Sequence, residues 1–134
     1  MKTIKGLTGM IVILIGLMSF IINDQVRDPW EIPDKYKNME NPFATEMDDL
    51  AEDGADIYEK HCTSCHGDTG EGDGSKADKL DTFPGDFTSD EFKEYNDGEL
   101  YFMSIIGRDE MPNYEKKLPS EEDRWAVIAY IKTF

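Results

Sequence analysis

Both cysteines and both histidines of the chain fall within His61–His66, read HCTSCH, and a glycine-rich stretch, GDTGEGDG, follows directly. Residues three apart share a face of a helical turn, so the sulfurs of Cys62 and Cys65 can point the same way. A ring this small, closed by a disulfide, would add little loop-closure stabilisation, and two cysteines cannot staple a scaffold. The pair therefore has a local role, as a redox dithiol, as ligands of a shared metal, or as the attachment point of something larger.

The rest of the pattern is helical and poor in core. A length of 134 residues leaves room for one small domain with accessory segments. A first helix is expected from Thr45, with TEMD as its capping box and Leu50, Gly54, Ile57, Tyr58 and His61 at helical spacing. Thr88–Tyr95 reads as a short second helix. Asn96 and Glu99 open a third that stops at Gly107, and Ser120 and Asp123 open a fourth with Lys132 in its last turn. Gly54, inside its helix, marks a close crossing with another helix. Trp125, Val127, Ile128, Tyr130 and Ile131 cover most of the last helix, so it must be buried on more than one side. The stretches between helices are glycine-rich or acidic and bury nothing. Such helices need a large apolar body to pack against, and a porphyrin would supply one.

CTSCH is the C-x-x-C-H pattern of covalent haem attachment. Two thiols one turn apart can form thioethers with both vinyl groups of one haem edge, and His66 is then carried to the iron. A thioredoxin-like dithiol would need a βαβ setting, and structural zinc would need a second Cys/His pair; the sequence has neither. His61, as the neighbour of Cys62, is expected to point away as an exposed histidine. For the sixth ligand, Met111 in GRDEMPNY offers a soft thioether, held by Pro112 in extended backbone as suits a loop. Met103, among Leu100 and Ile106 at helical spacing, reads as core packing. The glycine loop is not a phosphate cradle, since no strand precedes it and Asp68, Glu71 and Asp73 would repel an anion. It also lacks calcium ligands at Gly70 and Lys79. It reads as a chain reversal over the haem edge. Phe83, Phe87, Tyr101, Phe102, Tyr114 and Trp125 are core candidates.

Two of the 14 Lys and Arg residues, Lys2 and Lys5, precede the apolar run Gly6–Ile22; everything from Asn23 onward carries all 29 Asp and Glu against 12 basic residues. That balance repels nucleic acid and anionic membrane surfaces and suits a basic partner, or simply solubility. The run itself, about 17 residues without a small-x-small cleavage site, is expected to be an uncleaved anchor, with a cleaved export signal as the alternative. Either way the acidic remainder is exported. Residues 23–44, with Pro29, Pro33 and Pro42, read as an extended linker, in which Trp30, Ile32 and Tyr36 could meet lipid or a partner subunit.

From about Asp48 to Phe134 the chain resembles a class I c-type cytochrome, in GADIYEKHCTSCHG, GELYFMSIIGRDEMPNY and RWAVIAYI. The resemblance implies an all-α fold of about four short helices, residues 45–134, around one covalent haem c bound by Cys62 and Cys65. His66 and Met111 are then the iron ligands. It also implies that the first and last helices cross at Gly54 against the aromatic side of the Trp125 helix. A proline carbonyl should orient the ligating histidine, and Pro84 is the candidate. The function implied is single-electron transfer, not catalysis. The domain would be tethered on the periplasmic or outer side of a bacterial cytoplasmic membrane by a single-pass helix within 1–22. Its partners would be respiratory or photosynthetic redox proteins, with no nucleic acid and no small-molecule substrate. Two alternatives stand beside it: a fixed haem subunit of a quinol-oxidising complex or terminal oxidase, and a gas sensor or enzyme with Met111 unligated.

Overall fold

The computed structural model describes residues 29–134; the apolar run expected to be an anchor lies outside them. The described residues are helical, with one isolated antiparallel bridge between Arg108 and Met111. None of their helices is long and apolar enough to cross a membrane. In chain order they are α1 (Asp34–Lys37), α2 (Met47–His61), α3 (Thr63–His66), a 3-10 turn (Ala77–Lys79), α4 (Asp90–Lys93), α5 (Asp97–Tyr101) continuing into a π-turn (Phe102–Ile106), and α6 (Glu121–Ile131).

The frame is the crossing of α2 and α6. A β-carbon built on Gly54 would lie 2.0 Å from the Ala126 carbonyl oxygen and 2.9 Å from the Tyr130 Cβ. The helices therefore touch backbone to backbone. Gly54 meets Ala126 and Tyr130, while Trp125 turns away to pack on Tyr101, with ring centroids 4.9 Å apart. Six residues of α6, Trp125 to Ala129 and Ile131, are buried. That is the burial on several sides that its sequence demands.

The capping chemistry shows which local signals were strong enough. Asn96 accepts from the Glu99 amide and Glu99 reaches back to the Asn96 amide, a complete capping box. Ser120 accepts from the Asp123 amide. The box expected at Thr45 does not form: α2 starts after Glu46, which makes no side-chain cap. The second helix shrinks to Asp90–Lys93 because Ser89, not Thr88, caps it. Phe83, expected in the core, is 48% exposed.

The segment read as a linker is docked from Pro29 onward. Tyr36 packs on Phe102 at 4.8 Å and on Tyr101 at 6.3 Å; Trp30 meets Phe102 edge-on at 6.1 Å. Ile32 is buried. The Asn96 amide nitrogen donates to the Lys37 carbonyl, and Asn41 donates to Asp97. Three prolines restrict this chain, but its aromatic residues gain more by covering α5 than by staying in water. Lipid or a partner subunit is not needed to explain Trp30, Ile32 and Tyr36.

Candidate functional site

Helix α2 carries Tyr58, His61 and Cys62 down one face at i, i+3 and i+4. At Cys62 the backbone leaves ideal helical geometry, with φ −116°, and α3 begins. The chain still closes helical bonds here: the His66 amide donates to the Cys62 carbonyl at 3.0 Å. Gly67, at φ 80° and ψ 168°, ends the turn in a region essentially reserved for glycine. The Tyr58 hydroxyl donates to its carbonyl at 2.7 Å.

The glycine loop then folds back over the attachment turn. The amides of Gly72, Gly74 and Lys76 donate to the carbonyls of His66, Cys65 and Ser64 at 2.8, 3.2 and 2.7 Å. A helix end leaves its last carbonyls unpaired, and the loop satisfies them. Its glycines thus serve the turn that holds Cys65 and His66, consistent with a chain reversal. The loop returns through Phe87, whose amide donates to the Gly70 carbonyl and whose ring stacks on the His66 imidazole at 4.6 Å.

The opposite wall comes from the π-turn and the segment that runs on from it to Leu118. A π-turn inserts an extra residue into the helical ladder, a distortion frequent at functional sites. Gly107, at φ 73° and ψ 178°, stops it, and a β-carbon there would lie 2.2 Å from the Met111 carbonyl oxygen. The Met111 amide donates to the Arg108 carbonyl at 2.8 Å, closing a tight turn around Asp109, which adopts φ 51°. The Tyr114 amide donates to the Ile105 carbonyl, and its hydroxyl to the His61 carbonyl at 2.9 Å. Arg124 fastens the chain beyond, donating to the carbonyls of Leu118 and Glu115 and to the Tyr101 hydroxyl.

These elements enclose one cavity lined by Tyr58, His61, Cys62, His66, Phe87, Ser104, Ile105, Met111, Tyr114, Leu118, Val127 and Ile131. Of the site residues expected from the sequence, Cys62, His66 and Met111 are brought together. Met103 is not among the lining residues, which separates the two candidate methionines. Cys65 is half-buried one turn on, outside the lining set. Pro84 lines a different groove, with Gly72 to Gly74 and Phe83. His61 corrects an expectation: it lines the cavity, packed edge-on against Tyr114 at 5.9 Å. Its helical spacing from Tyr58 was the signal that could have placed it there. Burial, with Lys60 and Lys117 nearby, holds its imidazole below its ordinary pKa. Ser104 had no comparable signal, because the π-turn shifts the helical register.

Two observations test what the cavity can hold. Burial, then the neighbouring Cys65, pushes the Cys62 thiol up to about 12, so almost no thiolate is present near neutrality. A redox dithiol depends on thiolate, which burial disfavours at Cys62. The walls are aliphatic or aromatic, while the donors facing them are an imidazole and a thioether, soft ligands suited to haem iron. The residues fit a covalently held haem.

Residues 49–131 match the family model described as cytochrome C oxidase, cbb3-type, subunit III. The chain belongs to that family. No curated protein sequence matches it. As a cytochrome c domain of this family it carries haem c, with its iron, and has an electron-transfer role. Cys62 and Cys65 fit the attachment pattern.

The geometry also makes the Met111 turn sensitive to one methyl group. Gly107→Ala adds a β-carbon where the Met111 carbonyl already stands, in a backbone region that costs about 1–3 kcal/mol for any other residue. With Met111 as an iron ligand, the reading tested below, the expected result is a protein that keeps its haem but loses most of the weak far-red absorption of a ferric methionine–iron bond. An unchanged band would show that the turn tolerates the shift.

Proposed function

We propose that this protein is a membrane-tethered monohaem cytochrome c that passes single electrons between redox proteins on the outer side of the membrane. The observation that carries this reading is the convergence of Cys62, His66 and Met111 on one apolar cavity. Cys62 and Cys65 would hold the macrocycle through thioethers, and His66 and Met111 would be the axial ligands. Haem c supplies reversible one-electron exchange at iron, at a potential that methionine ligation raises. With His66 and Met111 both ligating the iron, no substrate would have to bind. The aliphatic walls from Ile105, Leu118, Val127 and Ile131 keep water from the site. Phe87 sets the plane of the His66 ring. The Pro84 carbonyl, on the loop that runs from His66 back to Phe87, is the acceptor that the family resemblance proposes for the second ring nitrogen.

Spectroscopy tests this. The ferric protein should show the far-red methionine band, and the ferrous form should bind carbon monoxide slowly. Rapid binding without the band would support a gas-binding or catalytic site instead.

A second reading, a haem subunit fixed within a larger oxidase or quinol-oxidising complex, is favoured by the docked segment 29–44. With that segment packed on the domain, the seven residue steps from Ile22 to Pro29 can span at most about 25 Å, so docking shortens whatever tether precedes it. The family's own description, an oxidase subunit, points the same way. Sizing after detergent extraction separates the two: a carrier elutes alone, and a subunit brings its neighbours.

A further inference from the structure

The turn that presents Met111 is short and exposed, and both of its flanks are tied to distant parts of the chain. On one side the Arg108 guanidinium lies 4.1 Å over the Trp30 ring and donates to the Pro29 carbonyl at 2.9 Å. On the other, the Glu110 carboxylate takes three hydrogen bonds from a segment 28 and 29 residues away. Its Oε1 accepts from the Asp81 amide at 3.1 Å, and its Oε2 from the Thr82 amide at 3.0 Å and the Thr82 hydroxyl at 2.9 Å.

Glu110 is exposed, and an exposed carboxylate usually gains little from a single surface partner. Here both oxygens are used, and two of the donors are backbone amides outside any helix, fixed in direction by the chain. Charge-assisted bonds to fixed donors are the stronger kind. Asp81 and Thr82 belong to the loop that leaves His66 at Gly67 and returns to stack Phe87 on the imidazole. The carboxylate therefore joins the wall that carries His66 to the wall that carries Met111.

We propose that Glu110 is the positioning residue of the Met111 turn, a clasp that holds the thioether toward the cavity by fastening the turn to Asp81 and Thr82. This rests on Met111 being an axial ligand, as proposed above. The side chain does not touch the cofactor; it sets how often the sulfur is withdrawn. Loss of two or three such bonds raises the withdrawn fraction about tenfold or more.

The test uses the full-length holoprotein and three substitutions: Glu110→Ala, Glu110→Gln and Thr82→Val. Glu110→Ala should weaken the ferric far-red band, speed carbon monoxide binding to the ferrous form about tenfold, and speed hydrogen exchange of the Asp81 and Thr82 amides. Glu110→Gln keeps one accepting oxygen and should fall between Ala and wild type. Thr82→Val removes one donor without touching the turn and should move carbon monoxide binding roughly two- to threefold in the same direction. All readouts are taken well below the thermal transition, where overall stability does not enter. If Glu110→Ala frees the two amides yet leaves the band and the binding rate unchanged, the turn holds itself and the clasp is refuted. An effect of Glu110→Ala on the band without faster exchange of the Asp81 and Thr82 amides refutes it too, because Glu110 would then act within its own turn. A wild-type protein without the band removes Met111 as a ligand, and the clasp falls together with that reading.

Discussion

Serine at both Cys62 and Cys65 should give a colourless protein. Produced in a cell competent for cytochrome maturation, the wild-type chain should be red and heavier than its amino acids by one haem. The double variant should have the mass of its polypeptide alone. A hydroxyl cannot replace a thiol in forming a thioether, and the covalent links make retention independent of ligand concentration. Without them, only reversible contacts with the cavity lining remain, and purification removes the group. The single variants are informative. Cys62 lines the cavity, whereas Cys65 is half-buried one turn further on, yet each supplies one link. Either single variant should keep a haem on the remaining sulfur, at reduced yield. Mass spectrometry with absorption spectra of purified protein decides the matter. Haem mass persisting in the double variant would place the attachment elsewhere.

The attachment site was legible because its information is local. Cys62, Cys65 and His66 lie within one turn, and their spacing alone states the geometry. The helix starts at Asn96 and Ser120 were legible for the same reason, since a cap is satisfied by residues three positions away. Met111 could be preferred to Met103 from the proline that follows it, but only the fold shows that one faces the cavity and the other does not. The features that could not be read depend on partners far apart in the chain. Trp30 and Tyr36 looked like parts of a linker because nothing nearby in sequence announces Phe102 and Tyr101 as their neighbours. Phe83 looked like core by composition, although it lies over Gly72 at the surface. Glu110 was one acid among 29 until three donors from Asp81 and Thr82 singled it out.

The folded frame itself turns on Gly54. In an exposed helix, replacing glycine by alanine stabilises by about 1 kcal/mol, because alanine loses less backbone freedom on folding. At Gly54 the sign should reverse. The new methyl would stand 2.0 Å from the Ala126 carbonyl oxygen and 2.6 Å from its carbon. These are backbone atoms of α6, which cannot rotate aside as a side chain does, so α2 and α6 must separate by about 1 Å or more, and a close-packed interior resists that. Overpacking of this kind costs about 1–3 kcal/mol and sometimes more. At the upper end, a domain of this size should melt about 15 °C lower. The damage should also reach the site, since Tyr58 lies one turn beyond Gly54, and Val127 and Ile131 line the cavity from α6. Gly54→Ala is therefore expected to melt early and to show a weakened methionine band at temperatures where it is still folded. Asp53→Ala, one position away on the exposed face, should do neither. Equal melting temperatures for Gly54→Ala and wild type would mean that the two helices do not cross at Ala126, and the cavity would have to be rebuilt from a different pairing.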